Sequence, residues 1–415
     1  MNFTLLMANS RKAGVGFIFV TLLIDVMGWG LIIPVMPRLI AQLKGISITE
    51  ASSYGAWLIF AYSATQFIFA PMVGNLSDRY GRRPVLLGSL AGFAIDYIFL
   101  ALAPTYGWLF IGRVIAGFTG ASFTTGAAYI ADVSTPENRA KNFGLIGAAF
   151  GLGFIIGPAL GGLLAGFGLR APFYAAAGLC FINWLYGYFL LPESLDAAHR
   201  RPFEWKKANP FGALQFLRRN PSIGSLAVCY FLIYLGAMAV QSNWSYFTIH
   251  RFNWTEKLVG LSLAAVGLLV GLVQVGLTRI LHPKLGNEKS IYTGLLLYAT
   301  GLTLFAFATH SWMMFAFLIP YCAGGIAGPA LQSTMAAHVA KNEQGGLQGA
   351  LTSLMSLTSI IGPLIMNNVF RYSSHRGSHF YFPGLFFLLG ASFMLTSAYI
   401  AWRMFRRERL EFRKV

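Results

Sequence analysis

The sequence predicts an all-α membrane protein: twelve transmembrane helices in two pseudo-symmetric six-helix bundles. Three observations carry this. Charged residues are only 11% of the 415, and mean hydropathy is +0.60. Soluble proteins carry about 25% charged residues, because their surface must be solvated. Twelve apolar stretches are each long enough to cross about 30 Å of hydrocarbon as a helix. Finally, a glycine pattern in the first half returns in the second at a fixed offset of 205 residues. Together these exclude a soluble enzyme, a disordered chain and a secreted disulfide scaffold. Cys180, Cys229 and Cys322 all fall in apolar stretches and read as buried free thiols.

The first span, 14–37, holds Asp25 near its middle, then Pro34 and Pro37. Its length, its Asp and the lack of a small-residue cleavage site mark it as a span, not a cleaved signal peptide. Spans 54–74 and 85–103 follow, the third with Asp96 midway. The fourth, 107–131, carries Arg113 and then Gly117 and Gly120. The fifth is 143–165 and the sixth 172–191. The one long polar connection, 192–222, contains four prolines. It divides the chain into bundles 1–191 and 223–415, the second with a basic tail. The remaining spans are 224–247, 258–280, 290–309, 312–337, 347–370 and 380–402.

With the N-terminus in the cytoplasm, 23 of the 31 Lys and Arg fall on the cytoplasmic side, 7 on the other and one, Arg113, within a span. That bias predicts both termini inside. It explains most of the +17 net charge without nucleic acid. The tail RMFRRERLEFRK reads as an orientation signal, with anionic lipid as a further partner.

The repeat is visible in three pairs, each separated by 205 residues: Gly81 with Gly286, Gly144 with Gly349, and Gly157-Pro158 with Gly362-Pro363. Two related six-helix halves binding a ligand near the midplane are the arrangement of secondary transporters.

Three motifs carry chemistry. Gly74-Asn-Leu-Ser-Asp78-Arg79-Tyr-Gly81-Arg82-Arg83-Pro84 joins spans two and three. Its glycines permit a tight turn. Its carboxylate can cap a helix N-terminus, and its arginines can pair with acids or lipid head groups. It resembles the loop signature of the major facilitator superfamily, which implies a gate latch, with Asp132 and Arg139 joining it. The second-half copy is degenerate, with Pro283 in place of the Asp and Arg279 in place of the first Gly.

The second motif is Gly153-Phe-Ile-Ile-Gly157-Pro158-Ala-Leu-Gly161-Gly162. Its small residues let helices pack closely and Pro158 bends the span. It is similar to the antiporter motif of drug exporters in that superfamily, which implies export.

The third feature is the buried charge itself. Ionisable residues inside a membrane are costly and mark functional sites. Asp25, Asp96 and Arg113 are the proton-coupling candidates, with Arg113 expected to pair with either Asp. Desolvation disfavours a carboxylate's charge and a nearby guanidinium restores it. A site whose Arg comes and goes can therefore load and release a proton; a static, helix-positioning ion pair is the alternative. The second half has no charge well inside spans seven or nine to twelve. Its polar groups are amides, aromatics and hydroxyls. With Trp29 and Gln66 from the first half, Gln241, Asn243, Trp244, Gln274, Tyr298 and Gln332 are the substrate-pocket candidates; helix-to-helix hydrogen bonding is their other reading.

The whole chain resembles the tetracycline/proton antiporter group of that superfamily. The resemblance is carried by IDVMGWGLIIPVMPRL, VGNLSDRYGRRPVLLGSLAGFAIDY, IGRVIAGFTGASFTTGAAYIADV, FGLGFIIGPALGGL and GGLQGALTSLMSLTSIIGPL. It implies the major facilitator fold, with essential acids at Asp25, Asp78 and Asp96, a basic partner at Arg113 and an inner pair at Asp132 and Arg139. The group's histidine in helix eight and acid in helix nine fall on Val270 and Tyr298 here. Those departures point away from a metal–drug cation and toward a neutral or anionic substrate. The resemblance implies a monomeric, proton-driven exporter of a drug, metabolite or siderophore in a bacterial inner membrane. Import on the same scaffold and a transport-inactive sensor are the alternatives. No cofactor, metal or enzymatic motif is expected.

Overall fold

The computed structural model describes residues 3–120, 122–135, 137–203, 212–219, 223–340, 343–375 and 380–412. Part of the connection 192–222, Lys341, Arg376, Arg413 and Lys414 lie outside the described residues. Sixteen α-helices and no strand are found among those described: α1 (Phe3–Ile32), α2 (Met36–Lys44), α3 (Ile48–Tyr80), α4 (Arg82–Leu102), α5 (Tyr106–Thr119), α6 (Ser122–Val133), α7 (Arg139–Leu164), α8 (Ala171–Leu190), α9 (Gly212–Arg219), α10 (Gly224–Phe252), α11 (Glu256–Leu272), α12 (Thr278–Ala306), α13 (Ser311–Ala323), α14 (Ala327–Ala337), α15 (Gln344–Ser373) and α16 (Leu385–Phe412).

Among the described residues, eleven helical segments are long and apolar enough to cross a membrane. One of them, Glu256–Ala306, has 51 residues. At 1.5 Å per residue that is about 76 Å, more than two hydrocarbon thicknesses. It changes direction at Gly286 (φ 71°, ψ 176°), a backbone region open essentially only to glycine. It therefore holds spans eight and nine, and the total is twelve.

The helices depart from the apolar stretches where backbone chemistry intervenes. The first span stops at Ile32, because Pro34 has no N–H to continue the ladder. The chain then resumes as the short helix α2. The fourth span is broken between α5 and α6 at Gly120, and the tenth between α13 and α14 by a tight turn at Gly324–Ile326. Gly120 and Gly325 are again 205 residues apart, so the repeat extends to its kinks.

The chain forms two compact units. The first comprises Met1–Gly45, Ala61–Pro210 and Thr255–Ala264, and the second Ile46–Phe60, Phe211–Trp254 and Ala265–Val415. The first unit's core packs Phe17, Ile18 and Leu22 of α1 against Leu86, Leu90, Tyr129 and Ile130. The second has an aromatic core in which Phe247 meets Phe386 at 5.7 Å and Phe387 at 5.1 Å.

Close packing in the first unit rests on the fifth span's glycines. A Cβ at Gly157 would come within 2.7 Å of the Met27 carbonyl oxygen on α1 and 3.0 Å of Gly30 Cα. A Cβ at Gly162 would sit 2.5 Å from the Glu256 carbonyl oxygen on α11. Gly153 and Gly161 also face α1, and Pro158 lies against both Gly30 and Gly260. With no side chain between them, α1 and α7 touch backbone to backbone, the way small residues bind helices together in lipid.

Candidate functional site

In the first unit, Asp96 on α4 is fully buried and Arg113 on α5 is 5% exposed. The Arg113 guanidinium forms an ion pair with the Asp96 carboxylate. The neighbouring Gly112 makes room for it, since a Cβ there would lie 2.8 Å from Asp96 Oδ1. The guanidinium also lies over the rings of Tyr62 and Tyr97, 5.8 Å from each centroid. Ring faces attract a desolvated cation, so Arg113 is held by one carboxylate and two tyrosines.

Asp25, on α1, is 8% exposed. The side chain of Ser122 on α6 is its hydrogen-bonding neighbour, and Arg113 pairs with Asp96 rather than with Asp25. One helical turn on, Trp29 Nε1 is buried without a hydrogen-bond partner, and the Trp29 ring packs 5.9 Å from that of Tyr62. Gln66 Nε2 donates to the Gly120 carbonyl (2.8 Å) and to the Tyr62 hydroxyl (3.1 Å), so it ties α3 to the broken fourth span. Asp25, Trp29, Gln66, Asp96 and Arg113 thus gather around Tyr62 and Tyr97. The two tyrosines escaped the sequence reading because aromatic residues inside spans are common; the charges nearby were the available signal.

A second cluster surrounds Gly81. The motif expected as a loop is mostly helix: α3 runs to Tyr80, and α4 starts at Arg82. Gly81 alone makes the turn (φ 105°, ψ 162°). Gly74 lies inside α3, where a Cβ would meet nothing within 4 Å. Arg82 Nη1 donates to Asp78 Oδ1 (2.5 Å) and Ser77 Oγ (2.7 Å), and Arg82 Nε to Asp132 Oδ2 (3.1 Å). Glu193, just beyond α8, accepts from the backbone N–H groups of Arg82 (2.8 Å), Arg83 (3.2 Å), Ser194 (3.0 Å) and Leu195 (3.1 Å). A carboxylate on the first free N–H groups of a helix offsets their charge and leaves none unsatisfied. Ser194 Oγ donates to Asp132 Oδ2 at 3.0 Å. Arg83 Nη2 donates to the Tyr188 carbonyl at 2.6 Å. Arg79 and Arg139 are not drawn in: the Arg79 guanidinium lies over Tyr80, and Arg139 is exposed at the start of α7. Glu193 was missed, although an acid directly after an apolar run and a proline was its signal.

The second-half candidates scatter. Gln332 Nε2 donates to the Tyr230 hydroxyl (3.2 Å), and Tyr230 packs 4.7 Å from Tyr234. Tyr298 packs 5.2 Å from Tyr321. Gln274 is exposed in a π-helical turn, Val273–Leu277, and Gln241 is exposed on α10. Asn243 is fully buried, and neither its amide nitrogen nor its oxygen has a hydrogen-bond partner. Trp244 is 1% exposed, edge-on to Phe305 at 5.1 Å in the aromatic core. Val270 is 40% exposed. The degenerate second-half turn has its own tie: Arg409 Nη2 to Glu288 Oε1, 2.9 Å.

Comparison with known proteins adds the following. The family model described as Major Facilitator Superfamily matches residues 18–363 and 226–411. The class C tetracycline resistance protein of Escherichia coli is 40% identical over 376 residues, 91% of this chain and 93% of that one. The class G tetracycline resistance protein of Vibrio anguillarum is 41% identical over 382 residues, 92% and 95% of the two chains. The crystal structure of a human organic anion transporter covers 94% of this chain and 99% of its own, with TM-score 0.71 and 24% identity. A bacterial homolog of the human lysosomal transporter Spinster, inward-facing and unoccupied, covers 96% of this chain and 97% of its own, with TM-score 0.77 and 15% identity. These two structures are alike in fold.

Proposed function

The chain belongs to the major facilitator superfamily, and on that premise we propose that it exports a small drug-like organic molecule in exchange for protons. It is a multi-pass membrane transporter, not an enzyme. The observation that carries the proton reading is Asp25, a carboxylate buried in α1 and not the one that Arg113 neutralises, since Arg113 pairs with Asp96. A carboxylate in that setting is neutral when it holds a proton and strongly disfavoured when it does not. Proton loading there biases one state of a two-state carrier. Alternating access is the transport cycle that such a two-repeat scaffold supports.

In this reading the Arg82, Asp78, Asp132 and Glu193 cluster latches the cytoplasmic end. The glycine face of α7 is the packing surface that differs between states. Both termini are cytoplasmic, in a bacterial inner membrane. The protein works as a monomer, and its basic tail lies against anionic lipid. Export is favoured over import by the resistance proteins among its relatives, which also make tetracycline the first compound to assay.

The test uses purified protein in liposomes with an imposed pH gradient, across a compound panel beginning with tetracycline. Proton movement opposite to substrate, lost in Asp25→Asn or Asp96→Asn, is the expected result. Proton movement in the same direction would establish symport instead. Substrate flux indifferent to the gradient would end the proton-coupled reading.

A further inference from the structure

We infer that Gln66 is a positioning residue: its side-chain amide locks the break in the fourth span and, through Tyr62, holds Arg113 in its seat against Asp96. The inference rests on the proton-exchange reading, because it makes Gln66 part of the coupling machinery and not a substrate contact.

A break inside a span is costly in lipid. At Gly120 (φ −72°, ψ 45°) the carbonyls that end α5 lose their helical partners, and hydrocarbon offers no replacement. One side chain answers. Gln66 Nε2 carries two hydrogens, and it donates one to the Gly120 carbonyl (2.8 Å) and one to the Tyr62 hydroxyl (3.1 Å). The backbone is shaped for this. A Cβ at Gly117 would lie 2.5 Å from the Tyr62 carbonyl oxygen, and one at Gly120 would lie 3.2 Å from Gln66 Nε2. Glycine at both positions lets α5 come this close to α3.

Tyr62 is the link to the charge. Its ring lies 5.8 Å from the Arg113 guanidinium, and Arg113 forms the ion pair with Asp96. Arg113 also stands only about 10 Å along the axis from Gly120, so a shift at the end of α5 carries the guanidinium with it. Gln66 therefore holds Arg113 twice, by fixing the ring beside it and by fixing the end of its helix. The internal repeat supplies a control. At the offset of 205, Tyr62, Gln66 and Arg113 correspond to Gly267, Gly271 and Leu318. The tenth span keeps a break, at Gly324–Ile326, but these positions carry neither the amide nor the charge. The Tyr298 ring packs there instead, with its Cγ 2.5 Å from where a Gly324 Cβ would be. A break alone needs no amide lock; the lock accompanies the charge.

Gln66→Met keeps the length and suits a span, but loses both donated bonds. Full-length protein in nanodiscs is followed by amide deuterium uptake. Peptides over 113–126 should take up deuterium about tenfold faster in the variant, and peptides over 318–331 at the wild-type rate. Equal acceleration at both breaks, or none at the first, overturns the lock. Melting reads whether the lock acts through the charge. Gln66→Met should lower Tm about twice as much in the wild-type background as in Asp96→Asn/Arg113→Gln, because residues that share a partner are not additive. Equal falls overturn the positioning role. Transport is measured in proteoliposomes with a pH gradient and tetracycline, or the panel compound that the wild type transports. The maximal rate should fall severalfold with KM unchanged. A raised KM at an unchanged maximal rate makes Gln66 a substrate contact and overturns the inference. If the wild type exchanges no compound of the panel for protons, the exchange reading fails, while deuterium uptake and melting still decide the lock.

Discussion

Asp25 and Asp96 are alike in chemistry and depth, yet their removal should have opposite consequences. Asp96 is the counter-charge of Arg113. Asp96→Asn leaves the guanidinium buried without its counter-charge. Breaking a buried ion pair from one side costs about 3–5 kcal/mol. Unfolding entropy runs near 2.1 cal/mol/K per residue, so for 415 residues the cost corresponds to a fall in Tm of about 3–6 °C. Asp25 has Ser122 as its hydrogen-bonding neighbour and, among the described residues, no ion pair is found for it. Asp25→Asn removes a desolvated carboxylate and leaves no charge behind, so Tm should hold or rise. Cys180, Cys229 and Cys322 are all free and buried. A thiol-reactive fluorophore therefore reports unfolding in detergent as the three become accessible. The double variant Asp96→Asn/Arg113→Gln removes both charges and should recover most of the lost stability. The reasoning fails if Asp25→Asn lowers Tm as much as Asp96→Asn does, or if the double variant is no more stable than Asp96→Asn alone.

Three further outcomes follow from the turns, the latch and the glycine face of α7. Gly81 and Gly286 both occupy backbone space open essentially only to glycine, so alanine at either should cost about 1–3 kcal/mol. Gly81→Ala should cost more, because its Cβ would also press on the Glu193 carboxyl carbon at 2.7 Å, whereas nothing lies within 4 Å at Gly286; paired melting curves check the order. Glu193→Gln keeps the size but loses the charge that gathers four N–H groups. At about 1 kcal/mol or more of lost capping, it should slow maximal transport and leave the substrate KM unchanged, measured in proteoliposomes. Gly157→Leu should prevent the backbone contact of α7 with α1 and abolish assembly, read as loss of a monodisperse peak on size-exclusion chromatography, while Gly74→Ala should leave that peak intact.

The spans were legible in the sequence because lipid imposes one rule on every residue it touches, and charge obeys it along the whole chain. What the rule does not fix is rotation about each helix axis. By depth alone, Asp25 and Asp96 were equal partners for Arg113. The choice between them was made by Gly112, whose missing side chain lets α5 approach Asp96, and by the two tyrosines that fill the remaining sides. The same gap explains the latch. Its arginines and Asp78 were plain in the motif, but Glu193 lies 111 residues from Arg82 and reaches it only because α8 ends beside α4. It also explains Trp244, whose polar edge suggested a pocket although its ring faces the aromatic core. In each case the residue type was readable and the partner was not, because partners are set by how helices turn toward one another. For this chain the consequence is functional. Pairing Arg113 with Asp96 leaves Asp25 as the buried carboxylate that Arg113 does not neutralise, and so the residue whose replacement is the first test of the proposed proton exchange.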